Sequence, residues 1–143
     1  MFRDVLIALD DSETARRAFD TAAELADALN ARLTVISVVP EVASAAYQSH
    51  VDVQSLRGEI ERETDRLIRD AVDSLPQGLP ITTVLKHGHA GERIVEQVEA
   101  GRHDLVVMGS RGRGRLATNL FGSVAAHVHY HSHVAMLVIH PEE

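Results

Sequence analysis

The run DLVVMG at residues 104–109 decides the fold, together with SRGRGRLATNLF at 110–121, GSVAAHVHYHSH at 122–133 and VAMLVIH at 134–140. Leu105, Val106, Val107 and Met108 form a short apolar run between Asp104 and Gly109. That pattern suits a parallel strand covered on both faces. Gly109, Gly112 and Gly114 follow at once, so the backbone can leave the strand through conformations that a Cβ would forbid. Gly122 and Ser123, a small residue and a hydroxyl, suit the start of a helix through Val124, Ala125, His127, Val128 and His131. Strand, glycine loop and helix start together imply an anion site, because a helix N-terminus carries unpaired N–H groups and partial positive charge. A single exposed dipole interaction of this kind is worth only about 0.3–1 kcal/mol. A triphosphate therefore needs several donors at once, and Gly109, Gly112, Gly122, Ser123 and Val124 are the candidates.

Two familiar phosphate motifs are excluded. No Gly-Lys-Ser/Thr follows the glycines, as a Walker A loop requires. The second half of Gly-x-Gly-x-x-Gly is missing after Gly112-Arg113-Gly114, so this is no dinucleotide fingerprint. The spacing that stands is Gly109, two residues, Gly112, nine residues, Gly122-Ser123.

Outward from this stretch, strands and helices alternate. Val5-Leu6-Ile7-Ala8-Leu9 is a continuous apolar run, broken by Asp10, Asp11 and Ser12, which offer helix caps. Ala15, Ala18, Phe19, Ala22, Leu25, Ala26 and Leu29 recur at helical spacing. Residues 32–39 read as a second strand ended by Pro40. A long charged helix follows from Val53 to Leu75, stopped by Pro76 and Gly78. Residues 81–85 predict a third strand; Ile94, Val95 and Val98 mark a third helix ended by Gly101; Met136 to Ile139 predict a last strand. Five strands separated by helices imply one open parallel sheet, an α/β fold with right-handed crossovers and helices on both faces. No repeat and no linker divides the chain, so residues 1–143 are expected to form one domain. The irregular insert at 41–52 is expected to be a mobile loop, either one that folds over a ligand or a surface loop without function.

Composition narrows the function classes. The 143 residues contain no cysteine, which excludes a disulfide framework and thiol chemistry. No apolar stretch reaches a membrane span and no signal-peptide pattern opens the chain, so a cytoplasmic setting is expected. A net charge of −7 argues against a general nucleic-acid binder. Aromatics make up only 3%, so Ala, Val, Leu and Ile must build the core.

The long-gap glycine signature, the opening strand ending at Asp10 and the Ser12-Glu13-Thr14-Ala15 that follows resemble the universal stress protein family, in its ATP-binding branch. The resemblance covers essentially the whole chain. It implies a Rossmann-like fold of the adenine nucleotide alpha hydrolase type, with the first and fourth strands as neighbours. Asp10 would then face ribose hydroxyls beside Ala8 and Leu9, Val38 would pack the adenine, and Met108 would lie against base or ribose. Gly109, Arg111, Gly112, Gly122, Ser123 and Val124 would hold the phosphates of ATP, with or without Mg²⁺. Without the resemblance, Val38 and Met108 read as core residues and Asp10 as a helix cap. Two departures are visible: Gly88-His89-Ala90 replaces the usual Gly-x-Pro, and Ala135 replaces a proline before the last strand.

The function implied is an ATP-binding regulatory module of the stress response. There is no Walker lysine, no carboxylate pair placed for magnesium and no evident base for a water, so no catalytic residue is assigned and any ATP hydrolysis would be weak. The alternatives are an adenine-nucleotide hydrolase on the same scaffold and a dimeric interaction module that binds no nucleotide. The last strand, Ala135 to His140, is expected to be an edge through which two copies pair as a homodimer. His127, His129, His131 and His133 alternate, so on a helix His127 shares a face with His131, and His129 with His133. No third ligand lies near in sequence, so no metal is assigned and a solvent-facing or interface cluster is the reading.

Overall fold

The computed structural model describes residues 1–41, 52–111 and 122–142. Gly112, Arg113, Gly114 and Arg115, and most of the insert at 41–52, lie outside the described residues. In chain order the elements are β1 (Asp4–Ala8), α1 (Glu13–Leu29), β2 (Arg32–Val39), α2 (Val53–Asp73), β3 (Ile81–His87), α3 (Ala90–Ala100), β4 (Leu105–Gly109), α4 (Ser123–His131) and β5 (Ala135–Ile139). The five strands form one sheet in the order β3-β2-β1-β4-β5, and every neighbouring pair is parallel. This is the α/β architecture that the alternating runs predict.

Strand parity sorts the apolar residues into two cores. Val5, Ile7 and Leu9 of the first strand region join Leu33, Val35, Leu105 and Val107 on the face covered by α1 and α2. Leu6, Ile36, Val106 and Met108 point the other way, against Ile94 and Val98 of α3 and Ala125 and Val128 of α4. Successive strand residues alternate faces, so these continuous apolar runs serve both layers at once. In α1 the stripe Ala15, Ala18, Ala22, Ala26 presents only methyl groups, with Phe19 as its one large buried side chain. Small residues let that helix lie close to the sheet.

The helix ends follow from local hydrogen-bonding chemistry. Ser12 caps α1, its Oγ accepting from the Ala15 N–H at 3.2 Å. Asn30 ends the helix in the left-handed region at φ 54°, a conformation that asparagine tolerates well. Asp52 caps α2 through Ser55. The cap of α3 is His89, whose Nδ1 accepts from the Glu92 N–H at 3.3 Å. β3 runs two residues beyond the predicted Leu85, because Lys86 and His87 pair in register with Val38 and Val39. Both are polar residues on an edge strand, where an apolar pattern gives no signal.

Behind α3 the chain turns at Gly101, where a Cβ would stand 2.7 Å from the His103 Cδ2. The His103 N–H closes the helix on the Val98 carbonyl at 3.0 Å, and its Nε2 lies 3.2 Å from the Gln97 amide nitrogen. Burial pushes the His103 imidazole below its ordinary pKa, against the opposing pull of Asp4 and Asp104. The folded state therefore favours the neutral ring. Its contribution to stability is complete above the unfolded value of about 6.5 and declines as pH falls from there towards the lower folded value. Urea unfolding of the parent and of His103→Gln between pH 8 and 5 should show a smaller acid loss in the variant, and superimposable profiles would exclude His103 as a source of acid sensitivity.

Candidate functional site

β1 is central, with β2 on one side and β4 on the other, so the chain direction across the sheet reverses between β1 and β4. At such a switch point the loops leaving the strands part, and the crevice at their carboxyl ends is where open α/β sheets bind ligands. In this chain that position is the carboxyl ends of β1 and β4, where the turn after β1, the chain leaving β4 and the start of α4 meet.

The turn after β1 is tightly built. Asp10 Oδ1 accepts from the Ser12 N–H at 2.8 Å, and Ser12 takes the cap. The carboxylate of Asp10 thus shapes the turn and leaves the capping itself to Ser12. The main chain of Leu9 is spent on β2: its N–H donates to the Ile36 carbonyl at 2.9 Å, and its carbonyl accepts from the Ser37 hydroxyl at 2.7 Å.

The exit from β4 is held from the other side of the sheet. A Cβ on Gly109 would fall 2.8 Å from the Thr14 carbonyl carbon and the Ala15 nitrogen. Glycine is needed there because the first turn of α1 crosses directly over the strand end. Ser110 follows, fully buried, its N–H donating to the Ile139 carbonyl at 2.8 Å. Its hydroxyl has no hydrogen-bond partner among the described residues. Buried hydroxyls normally have such a partner. Arg111, half-buried, presents its carbonyl to the hydroxyls of Thr14 and Ser12.

Gly122 is the N-cap of α4, in extended conformation, and no side chain caps this end. Ser123, expected to combine capping with ligand contact, is the first helical residue instead, and its side chain is exposed. The Gly122 N–H donates to the Ser110 carbonyl, which ties the helix start to the end of β4. The first intrahelical bond runs from Ala126 to Gly122 at 3.1 Å. The orphan donors of the first turn are thus those of Ser123, Val124 and Ala125, rather than that of Gly122.

Among the sequence-predicted residues, Ala8, Val38, Met108 and Val124 come together on the α3/α4 face. Leu9 lies on the opposite face, in the core beneath α1. Asp10 follows β1, Gly109 and Arg111 lie at the end of β4, and Gly122 and Ser123 start α4, all at the carboxyl side of the switch point, while Gly112 is outside the described residues. Thr14 and Ser110 were missed. Asp10 to Ser12 read as caps and Ser12 to Ala15 only as part of the resemblance, and the motif spacing draws attention to glycines rather than to the serine between them.

The histidine pattern resolves differently from its expectation. α4 ends at His131, so His133 lies beyond the helix and shares no helical face with His129. His127 and His131 do share a face, with rings stacked at 4.0 Å, and His131 Nδ1 meets the His127 carbonyl at 2.8 Å. The His89 ring is 5.2 Å from that of His127, whose Cγ would stand 2.6 Å from a Cβ on Gly91. This packing is how α4 leans on α3. Burial, then His131 and His89, hold the His127 pKa down, against Glu92. No group of three or more His, Asp or Glu among the described residues is arranged to hold a metal.

An open parallel sheet in the order β3-β2-β1-β4-β5, reversing between β1 and β4 with the start of a helix at that end, defines a doubly wound α/β scaffold. The chain belongs to the universal stress protein family, whose family model matches residues 1–140. It is 25% identical over 147 residues to universal stress protein YxiE of Bacillus subtilis, covering 97% of this chain and 99% of that protein. The universal stress protein UspA from Lactobacillus plantarum superimposes with a TM-score of 0.82 at 21% identity, covering 96% of this chain and 97% of the other. A universal stress protein crystallised in complex with cAMP has a TM-score of 0.66 at 25% identity, covering 99% of each chain. No helix among the described residues is long and apolar enough to cross a membrane.

If Gly109 serves helix packing, Gly109→Ala should destabilise the ligand-free protein by about 1–3 kcal/mol, the usual cost of overpacking a tight contact. A lower urea midpoint at constant slope is the expected result. An unchanged midpoint would show that α1 can move aside.

Proposed function

We propose that this chain binds an adenine nucleotide, ATP with or without Mg²⁺, in the crevice between β1 and β4, and acts in the cytoplasm as a nucleotide-dependent regulatory module of the stress response. The observation that carries the reading is the buried Ser110 hydroxyl, without a partner among the described residues, at the carboxyl end of β4, where the start of α4 is tied to the Ser110 carbonyl by the Gly122 N–H. A helix start alone is a weak anion site; a helix start next to an unsatisfied buried hydroxyl is a better one. Ala8, Val38 and Met108 supply an apolar wall for a base, and Asp10 an acceptor for ribose hydroxyls. Arg111 supplies the positive charge for phosphates. The cAMP complex of a relative supports the choice of an adenine nucleotide. The residues assigned to the crevice bind and orient, and none is assigned a proton-transfer role.

Thermal unfolding with ATP and Mg²⁺ tests the site. A ligand at one hundred times its dissociation constant stabilises by about 2.7 kcal/mol, a rise of roughly 5–11 °C for a domain of this size. The rise should vanish in the Gly122→Val/Ser123→Ala double variant. No shift of the parent protein at millimolar ATP would sink the reading in favour of an interaction module without nucleotide.

The module is proposed to work as a homodimer through β5. That strand ends the sheet, pairs with β4 alone among the described strands, and keeps Met136 to Ile139 only partly buried. An edge of this kind invites antiparallel pairing with a second copy about a two-fold axis. Light scattering at micromolar concentration should give about twice the chain mass of 15.6 kDa. A single chain mass would refute the dimer.

A further inference from the structure

We infer that Thr14 is a positioning residue of the nucleotide site, its hydroxyl latching the main chain of Arg111 at the lip of the crevice; this rests on the nucleotide-binding reading above. Thr14 lies in the first turn of α1 and is 4% exposed. As the second residue of the helix, Thr14 has no preceding turn onto which its hydroxyl could fold back. The hydroxyl instead donates to the Arg111 carbonyl at 2.7 Å, joining residues 97 apart in sequence. Ser12 reaches the same carbonyl at 3.3 Å, but its oxygen also accepts the capping N–H of Ala15, so the shorter bond from Thr14 is the principal tie.

The surroundings fit the latch. β4 ends at Gly109, so the Arg111 carbonyl lies beyond the ladder and needs a partner from elsewhere. Thr14 Oγ1 occupies the space that a Cβ on Gly109 would take, so the missing side chain of Gly109 is what opens the passage to Arg111. The Gly122 N–H holds the carbonyl of the adjacent Ser110. Two neighbouring carbonyls are thus fixed, Ser110 by α4 and Arg111 by α1. The Ser110 hydroxyl and the Arg111 guanidinium, the groups assigned to phosphate in the proposed site, belong to that clamped dipeptide. The latch acts on the phosphate end of the ligand, since Ala8, Val38 and Met108 are held by the core independently.

Thr14→Val keeps the shape and removes the donor, and Thr14→Ser restores it. Titration calorimetry with ATP and with adenosine separates positioning from general support. ATP affinity should fall about five- to ten-fold in Thr14→Val, the scale of one hydrogen bond, with adenosine affinity unchanged and Thr14→Ser close to the parent protein. Equal losses for both ligands, no loss for ATP, or failure of Thr14→Ser to recover would overturn the inference. Amide hydrogen exchange at Ser110, whose N–H is bonded to the Ile139 carbonyl next to the latched residue, reads the latch without nucleotide, and it should quicken in Thr14→Val. Unchanged exchange overturns the latch itself. A parent protein that binds neither ATP nor adenosine overturns the nucleotide reading and, with it, the positioning role.

Discussion

Everything in this molecule depends on β1 being satisfied from both sides. Val5, Leu6 and Ile7 are fully buried, and their peptide groups have no water to turn to. An unpaired buried peptide group costs free energy on the scale of a lost hydrogen bond, so the strand needs a neighbour on each flank. β2 supplies one, from Asp4↔Arg32 through Ala8↔Ile36, and β4 the other, from Val5↔Leu105 through Ile7↔Val107. Because β2 follows β1 directly while β4 arrives after two further helices, the crossovers turn in opposite directions along the sheet. The switch point is a by-product of that requirement. It falls where the two halves part, at the strand that both of them need.

The same constraint sorts legible sequence from illegible. A strand covered on both faces needs apolar side chains at every position, so Val5 to Ile7 and Leu105 to Met108 announce themselves as unbroken runs. The alanine stripe of α1 is equally plain, since a helix meeting a sheet closely must present small residues along one face. Edge positions carry no such demand. Lys86 and His87 belong to β3 through main-chain pairing with Val38 and Val39, and nothing in their side chains says so. Caps divide the same way. Ser12 is the kind of residue whose oxygen reaches a first-turn N–H, whereas the capping role of His89 depends on which ring nitrogen is left as acceptor.

The candidate site was legible as a spacing of glycines but not as a set of roles. The pattern points to Gly109 as a place for phosphate to approach, while the structure gives it a packing reason that a local sequence window does not contain: the first turn of α1 lies over it, ninety-odd residues away along the chain. Gly122 reads as a donor, and its N–H is already committed to Ser110. Ser110 itself, the residue with an unmet hydroxyl, has no motif to mark it. Roles of this kind arise from contacts between distant segments, and periodicity or spacing along one segment cannot encode them.

What orients the donors of α4 is therefore not α4 alone. Gly122 ties the helix start to β4, while Ala125 and Val128 sink its underside into the α3-side core. Further along, the His127 ring rests on the bare backbone of Gly91 and stacks on His131. The first contact fixes where the N–H groups of Ser123, Val124 and Ala125 stand. The other contacts fix the direction of the helix axis, and so the direction in which those groups point. A helix dipole acts only within about a turn of its end, so its value at the crevice depends on aim as much as on presence. By supporting α4, α3 sets the field that an anion at that helix start would meet.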